Sequence, residues 1–309
     1  MRIPDDLHQL AASQDGLVTR QQALAAGMSA ESIRHMLGAG QRWQRIVAGV
    51  YATFTGVLGS RHRIRAALLH AGPRALVTGA YACRAVGMRY VPRGAPLVVL
   101  VASTNSRTQT VLAQLRRIEI MPPPMTIDGI PVAPLERCVL DTCHGLTSLR
   151  SIRALLCESV QLGLTTPERV LETLGGACWK GAGLVRRALD DAVAGCRSAP
   201  ECELRDLVRT SAVLSEPLWN AQLPGGSDAS IVPDACWPGE RVVVEIDSAE
   251  WHRRGDLVER TERRRARLAA LGWTVIAVSP RRLREEPGVV LREIEAAVIA
   301  GRQRRSSAA

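Results

Sequence analysis

Residues 230–252 read Ser-Ile-Val-Pro-Asp-Ala-Cys-Trp-Pro-Gly-Glu-Arg-Val-Val-Val-Glu-Ile-Asp-Ser-Ala-Glu-Trp-His, and this stretch decides the fold of the C-terminal part of the chain. Two apolar segments, 230–237 and 242–247, flank Pro238-Gly239-Glu240-Arg241, where Pro and Gly supply turn chemistry, so a β-hairpin is expected. Whether the loop has two residues (Gly239 and Glu240) or four, Trp237 faces Val242 and Asp234 falls directly opposite Glu245. Like charges opposite each other destabilise a sheet, and a buried carboxylate needs compensation. Alternation puts Asp247 on the face of Glu245, with Val242, Val244 and Ile246 on the other. No arginine is obliged by the sequence to pair with these acids. Three carboxylates therefore converge, with His252 just beyond the strand. Oxygen donors of this kind suit a hard divalent cation, Mg2+ or Mn2+, able to activate water for attack on a phosphodiester, which makes Asp234, Glu245 and Asp247 the candidate metal ligands.

On the N-terminal side of the hairpin, a helix opening at Pro200 carries Leu204, Leu207 and Val208 on one face. Glu201, three residues before Leu204, points inward while Glu203 points away. An inward carboxylate is costly unless employed, so Glu201 joins the candidate catalytic residues. Beyond the hairpin come a charged helix, 256–271, closed by Gly272 and carrying Arg260, Arg264 and Arg267 on one side, a strand at 273–279, a helix at 287–300 and a flexible tail at 302–309.

That order of elements resembles the restriction-endonuclease-like core. More specifically, Pro233-Asp234, Val244-Glu245-Ile246-Asp247, Trp251-His252 and Leu271-Gly272-Trp273-Thr274-Val275 resemble the domain related to very-short-patch repair endonucleases, over about residues 184–300. The resemblance implies a metal-dependent nuclease with Asp234 and Glu245 as ligands. In the wider superfamily the residue two after the strand glutamate is usually lysine. Here it is Asp247, and the chain's one lysine, Lys180, precedes the domain. The repair-endonuclease branch uses a histidine instead, and His252 matches it as general acid or base. Arg264 would stabilise negative charge developing on the phosphate.

The whole chain of 309 residues is 46% apolar, ample for two or three packed domains. Its net charge of +10 is unevenly placed: from Ser32 to Ile118 there are thirteen arginines and no acid, leaving −3 for the remainder. Few local partners for so many arginines point to a polyanion such as nucleic acid. Eight scattered cysteines without a Cys-x-x-Cys pair argue against a zinc ribbon, and Cys138, Cys143 and His144 read as core residues. The N-terminus begins no secretory segment, and the longest apolar run, 95–102, cannot span a bilayer, so no membrane partner and a cytoplasmic address are expected.

At the N-terminus, helices at 4–12, 20–26 (capped by Thr19) and 30–37 (capped by Ser29) precede two short strands, 43–47 and 49–53, the pattern of a winged helix-turn-helix. In that geometry Ser32, Arg34 and His35 enter the major groove and Arg42 and Arg45 meet phosphates. Further on, helices are expected at 60–72 and 78–86, the second capped by Thr78, a strand at 96–102, a hairpin about Asp128-Gly129, and helices at 134–144, 149–162 and 165–174. The opening helices, Ala75-Leu76-Val77-Thr78, and the run from Gly129 through Glu136-Arg137-Cys138-Val139-Leu140-Asp141 resemble the antitoxin of the AbiEi abortive-infection type, which implies DNA binding.

The expectation is thus a mixed α/β, multidomain protein: a winged helix-turn-helix at 1–58, an α+β region at 59–175, an endonuclease-like core at 184–301 and a tail at 302–309. The expected function is metal-dependent DNA cleavage, in phage defence, toxin–antitoxin biology or repair. The alternative is a non-enzymatic antitoxin or transcriptional regulator with a degenerate nuclease fold, with a cognate toxin or a second copy as partner.

Overall fold

The computed structural model describes residues 3–38, 40, 42–176, 179–223, 231–247 and 255–308, the side chains of 255–258, 260 and 308 excepted. These residues form thirteen helices and three sheets, a mixed α/β, multidomain chain in two compact units: 1–146 with 162–182, and 147–161 with 183–309. Among the described residues no helix is long and apolar enough to cross a membrane.

The first unit opens with α1 (Asp5–Ser13), whose first-turn acids Asp5 and Asp6 suit the positive helix end, and which buries Leu7 and Ala11. Asp15 and Gly16, both left-handed at φ 58° and 78°, turn the chain into β1 (Leu17–Thr19). Three residues are too few for a periodicity signal, which is why β1 is not legible in the sequence. Thr19 ends that strand and starts α2 (Arg20–Ala25) through a capping box with Gln22. Ser29 caps α3 (Ala30–Met36), and β2 (Gln44–Val47) and β3 (Val50–Ala52) complete a sheet of order β1-β3-β2. Leu7, Ala11, Val18, Ala23, Ile33, Met36, Trp43 and Tyr51 are its core.

Next come α4 (Ser60–Ala71), β4 (Leu76–Thr78), α5 (Ala80–Ala85), β5 (Val98–Ala102), β6 (Gln114–Ile118), β7 (Met125–Ile127), β8 (Ile130–Val132) and α6 (Leu135–Cys143). The sheet runs β6-β5-β4-β8-β7. Asp128 and Gly129, at φ 49° and 73°, both take the left-handed conformation that a tight hairpin turn requires. Thr78 does not cap a helix over 78–86: it ends β4, and Gly79 at φ 69° precedes α5. Its hydroxyl is committed elsewhere, donating to Asp141 Oδ2 at 2.7 Å, where Arg116 and Arg137 also pair. Two of the three segments that carry the antitoxin resemblance thus meet at one buried carboxylate. Helix α7 (Leu149–Gln161) belongs to the second unit, and α8 (Pro167–Leu174), capped by Thr166, returns to the first.

The second unit continues with α9 (Ala182–Val193), α10 (Ala199–Val208), β9 (Leu218–Trp219), β10 (Ala235–Trp237), β11 (Val242–Ile246), α11 (Gly255–Ala270), β12 (Thr274–Val278), α12 (Pro280–Glu285) and α13 (Pro287–Ala308). Its sheet runs β12-β11-β10-β9, with β10 and β11 antiparallel and β11 and β12 parallel across the α11 crossover. Val242, Val244 and Ile246 join Leu204, Leu283, Val290, Ile294 and Val298 in the main core, while Val243 and Cys236 on the opposite face meet Leu268 of α11. The hairpin loop has four residues: Trp237 pairs with Val242, and Arg241 takes φ 55° to close it.

Residues 302–308 are not a loose tail. They continue α13, because Arg302 pairs with Glu240 at 3.3 Å and donates to the Val213 carbonyl, and Arg304 reaches Thr274 Oγ1. Gly301 sits against the hairpin turn, where an added Cβ would lie 2.4 Å from the Glu240 carbonyl oxygen. Helix propensity favours Ala over Gly by ~1 kcal/mol, whereas overpacking costs ~1–3 kcal/mol. We therefore expect Gly301→Ala to lower the denaturation midpoint; an unchanged or raised midpoint would mean that α13 does not pack on the turn.

Candidate functional site

Strand β11 lies inside the sheet and carries Glu245 at its C-terminal end, 1% exposed. The register Ala235 to Val244 continues to Asp234 opposite Glu245, and Asp234 Oδ2 accepts the Ile246 N–H at 2.6 Å. Burial, then the charge of Glu201, then Glu245 push the Asp234 carboxyl up to about 7, against the opposing pull of the Ile246 N–H and Arg264. Near neutral pH Asp234 is therefore divided between its two protonation states.

Glu201 stands in the first turn of α10, 8% exposed, facing inward as its spacing from Leu204 requires. Three donors fix it: Ser198 Oγ at 2.8 Å to Oε1, and the Arg197 N–H at 3.0 Å and Asn220 Nδ2 at 2.9 Å to Oε2. Asn220, in the left-handed conformation at φ 47°, also donates its backbone N–H to the Asp234 carbonyl. It thus ties together the residues bearing two of the acids. The sequence gives no hint of Asn220, but the spacing Ser198-x-x-Glu201 is a capping-box signature that could have been read. Glu203 turns from the site and pairs with Arg150 of α7.

Contrary to expectation, arginines of α11 do reach the acids. Arg264 Nη2 lies 2.8 Å from Glu245 Oε1, Arg265 Nε 3.7 Å from Oε2, and Arg265 Nη2 3.2 Å from Asp247 Oδ2. Yet among the described residues neither Glu245 oxygen accepts a hydrogen bond, so these are charge contacts without aligned N–H groups. Asp247 is drawn toward Arg265. Among the described residues no three His, Cys, Asp or Glu side chains are grouped so as to hold an ion. His252 lies outside the described residues.

A divalent cation fits this donor set at Asp234 and Glu245. Both offer hard oxygens, those of Glu245 are buried without a hydrogen bond, and the proton affinity of Asp234 is raised by its acidic neighbours. Cys83 and Cys138 are buried in the first unit, and burial pushes their thiols up to about 11 and about 12.

In the first unit, α3 exposes Arg34 and His35 while burying Ile33 and Met36, and Arg42 and Arg45 are exposed about the hairpin. Ser32 is half-buried, and its hydroxyl accepts from Ser29 within the helix cap. Not every arginine of the acid-free stretch is unpaired: Arg61 and Arg65 meet Asp15, and Arg116 meets Asp141, acids that lie before and after the stretch. Arg34, Arg42 and Arg45 make no ion pair among the described residues.

No family model matches the chain. Uncharacterized proteins of Mycobacterium tuberculosis, MT2308 of strain CDC 1551 and Rv2248 of strain H37Rv, are each 32% identical over 109 residues, 35% of this chain. The match spans 40% of the length of those relatives. The crystal structure of the RV2827C protein from the same organism is similar at 17% identity and a TM-score of 0.42, covering 70% of this chain and 85% of its own.

The raised Asp234 carboxyl gives a signed prediction. Between pH ~4 and ~7 the folded protein holds a proton that the unfolded chain has released, so this group's contribution makes stability fall as pH rises through that window and stay level above it. With chelator present, Asp234→Asn should therefore gain stability relative to wild type from pH 5 to pH 8, by up to ~3 kcal/mol, since about two pH units of that window lie above pH 5 at ~1.4 kcal/mol per unit. Paired thermal melts that differ by the same amount at both pH values would contradict it.

Proposed function

We propose that residues 184–301, within the second unit, are a Mg2+- or Mn2+-dependent endonuclease domain hydrolysing DNA phosphodiester bonds, and that residues 1–58, within the first unit, are a winged helix-turn-helix module that brings DNA to it. One observation carries this reading: Glu245, buried opposite Asp234, has no hydrogen bond to either oxygen among the described residues and lies beside a neighbour whose proton affinity is raised. Asp234 and Glu245 would hold the ion, which when bound supplies a Lewis acid and an activated water. Glu201, fixed by three donors, is the acid neighbour that contributes most to raising the Asp234 carboxyl. Arg264, 38% exposed at its side chain and tied to Glu245 only by charge, is the cation available to a phosphate group. The resemblance to very-short-patch repair endonucleases supports the same assignment and adds His252 as the acid or base. A DNA substrate and scattered free thiols fit a cytoplasmic address.

The pairing of Arg264 and Arg265 with Glu245 favours a second reading, a regulator of the AbiEi antitoxin type whose nuclease core has lost its ion and which acts with a cognate toxin or as a self-associated copy. A nicking assay on plasmid DNA with Mg2+ or Mn2+ separates the two. Cleavage that falls to background in Asp234→Ala and Glu245→Ala supports the enzyme. Cleavage equal to wild type in those variants places the chemistry elsewhere, and no cleavage by any form, with operator binding intact, supports the regulator.

The DNA module has its own test. Replacing both Arg34 and Arg45 with Ala should weaken duplex binding across sequences and reduce the slope of log affinity against log salt by about one to two, near 0.9 per phosphate contact. Unchanged affinity and slope would remove α3 and the hairpin from the interface.

A further inference from the structure

A groove of about 770 Å³ in the first unit, between α2, the β2–β3 turn and α4, has no part in the reading above. Its volume is that of a small-molecule site. Arg20, Arg65 and Arg107 line it, and no Asp or Glu does. Arg65 is committed, pairing with Asp15 at 2.9 Å and donating to the Gly129 carbonyl at 3.0 Å. Arg20 and Arg107 are exposed and make no ion pair among the described residues, so their charge is available to a ligand. Leu24 and Leu69 add apolar wall to the groove. Two available guanidinium groups in a concave, partly apolar site fit a compact phosphorylated anion with a planar or apolar body better than a solvated duplex backbone.

The groove is also built into the DNA-binding element. The Arg20 N–H donates to the Gly49 carbonyl at 2.8 Å, joining α2 to the β2–β3 turn. Buried His70 of α4 places one ring nitrogen 3.4 Å from the Ala48 carbonyl in that turn and the other 3.0 Å from the Thr108 carbonyl, next to Arg107. A ligand that draws Arg20 and Arg107 together therefore acts on α2 and on the hairpin through the same bonds.

We infer that this groove is an effector site for a nucleotide-sized phosphorylated anion, whose occupancy changes the affinity of the helix-turn-helix for DNA. The second half rests on the DNA-binding reading; the binding site itself does not.

Calorimetry on the full chain, with chelator and with ATP, AMP and inorganic pyrophosphate as probes, tests the site. At least one probe should bind with Kd below ~1 mM, and Arg20→Ala and Arg107→Ala should each weaken it ~10-fold while melting as wild type does, because both side chains are exposed. No heat from any probe at ~5 mM, well above the ~1 mM ceiling, overturns the site, as does equal binding by the variants. If the variants weaken duplex binding while no probe binds, the groove is part of the DNA path and the inference falls. Coupling is read by titrating duplex DNA with and without the bound probe. A shift in DNA affinity that both arginine variants abolish is expected; an unshifted affinity, or no DNA binding in either state, overturns the regulatory half and leaves the site standing on the calorimetry.

Discussion

Asp234 and Glu245 are held opposite each other because the other face of their strands leaves them no choice. Val242, Val244 and Trp237 are buried in the main core of the second unit, and each fully buried apolar side chain contributes roughly 1.5–3 kcal/mol. Together these exceed the ~4 kcal/mol that ionising a buried Asp234 costs at most. Since the side-chain period of a strand is two, anchoring the valines fixes the acids on the opposite face, and a slip of one residue would invert both sets. The rest of the unit is arranged around that forced pair. Helix α10 adds Glu201, Asn220 bridges Glu201 to Asp234, and α11 brings two arginines to Glu245.

Compensation is incomplete on every side. The Glu245 oxygens have positive charge nearby but no aligned hydrogen bond, and Asp234 gains a proton at a pH where an exposed aspartate has none. A domain that only needed to fold would gain by replacing such a group with an apolar residue of similar volume. A cation bound between the two acids, as proposed above, would supply that missing compensation.

How much of this was legible in the sequence follows from the range of each interaction. Pro238-Gly239 and the alternation about β11 are local, so the hairpin, its register and the opposition of Asp234 to Glu245 could be read directly; loop length could not, because it turned on Arg241 taking a left-handed conformation. Glu201 was legible from helical spacing. Arg264 was read as a cation for the phosphate and Arg265 was not singled out, since the approach of both to Glu245 depends on how α11 crosses the sheet. Asn220, β1 and β9 carry too short a pattern to announce themselves, and β6 places Arg116 and Arg117 side by side where an alternating strand would show apolar residues. Thr78 looked like a helix cap because its partner, Asp141, lies 63 residues away.

The central claim is that the Asp234–Glu245 pair is a cation site, and crystals soaked in Mn2+ test it most directly through the anomalous signal. The account predicts an ion bound by carboxylate oxygens of both residues, with Arg264 moved off Glu245. Crystals that contain no ion there, with Arg264 still against Glu245 at saturating Mn2+, would contradict it.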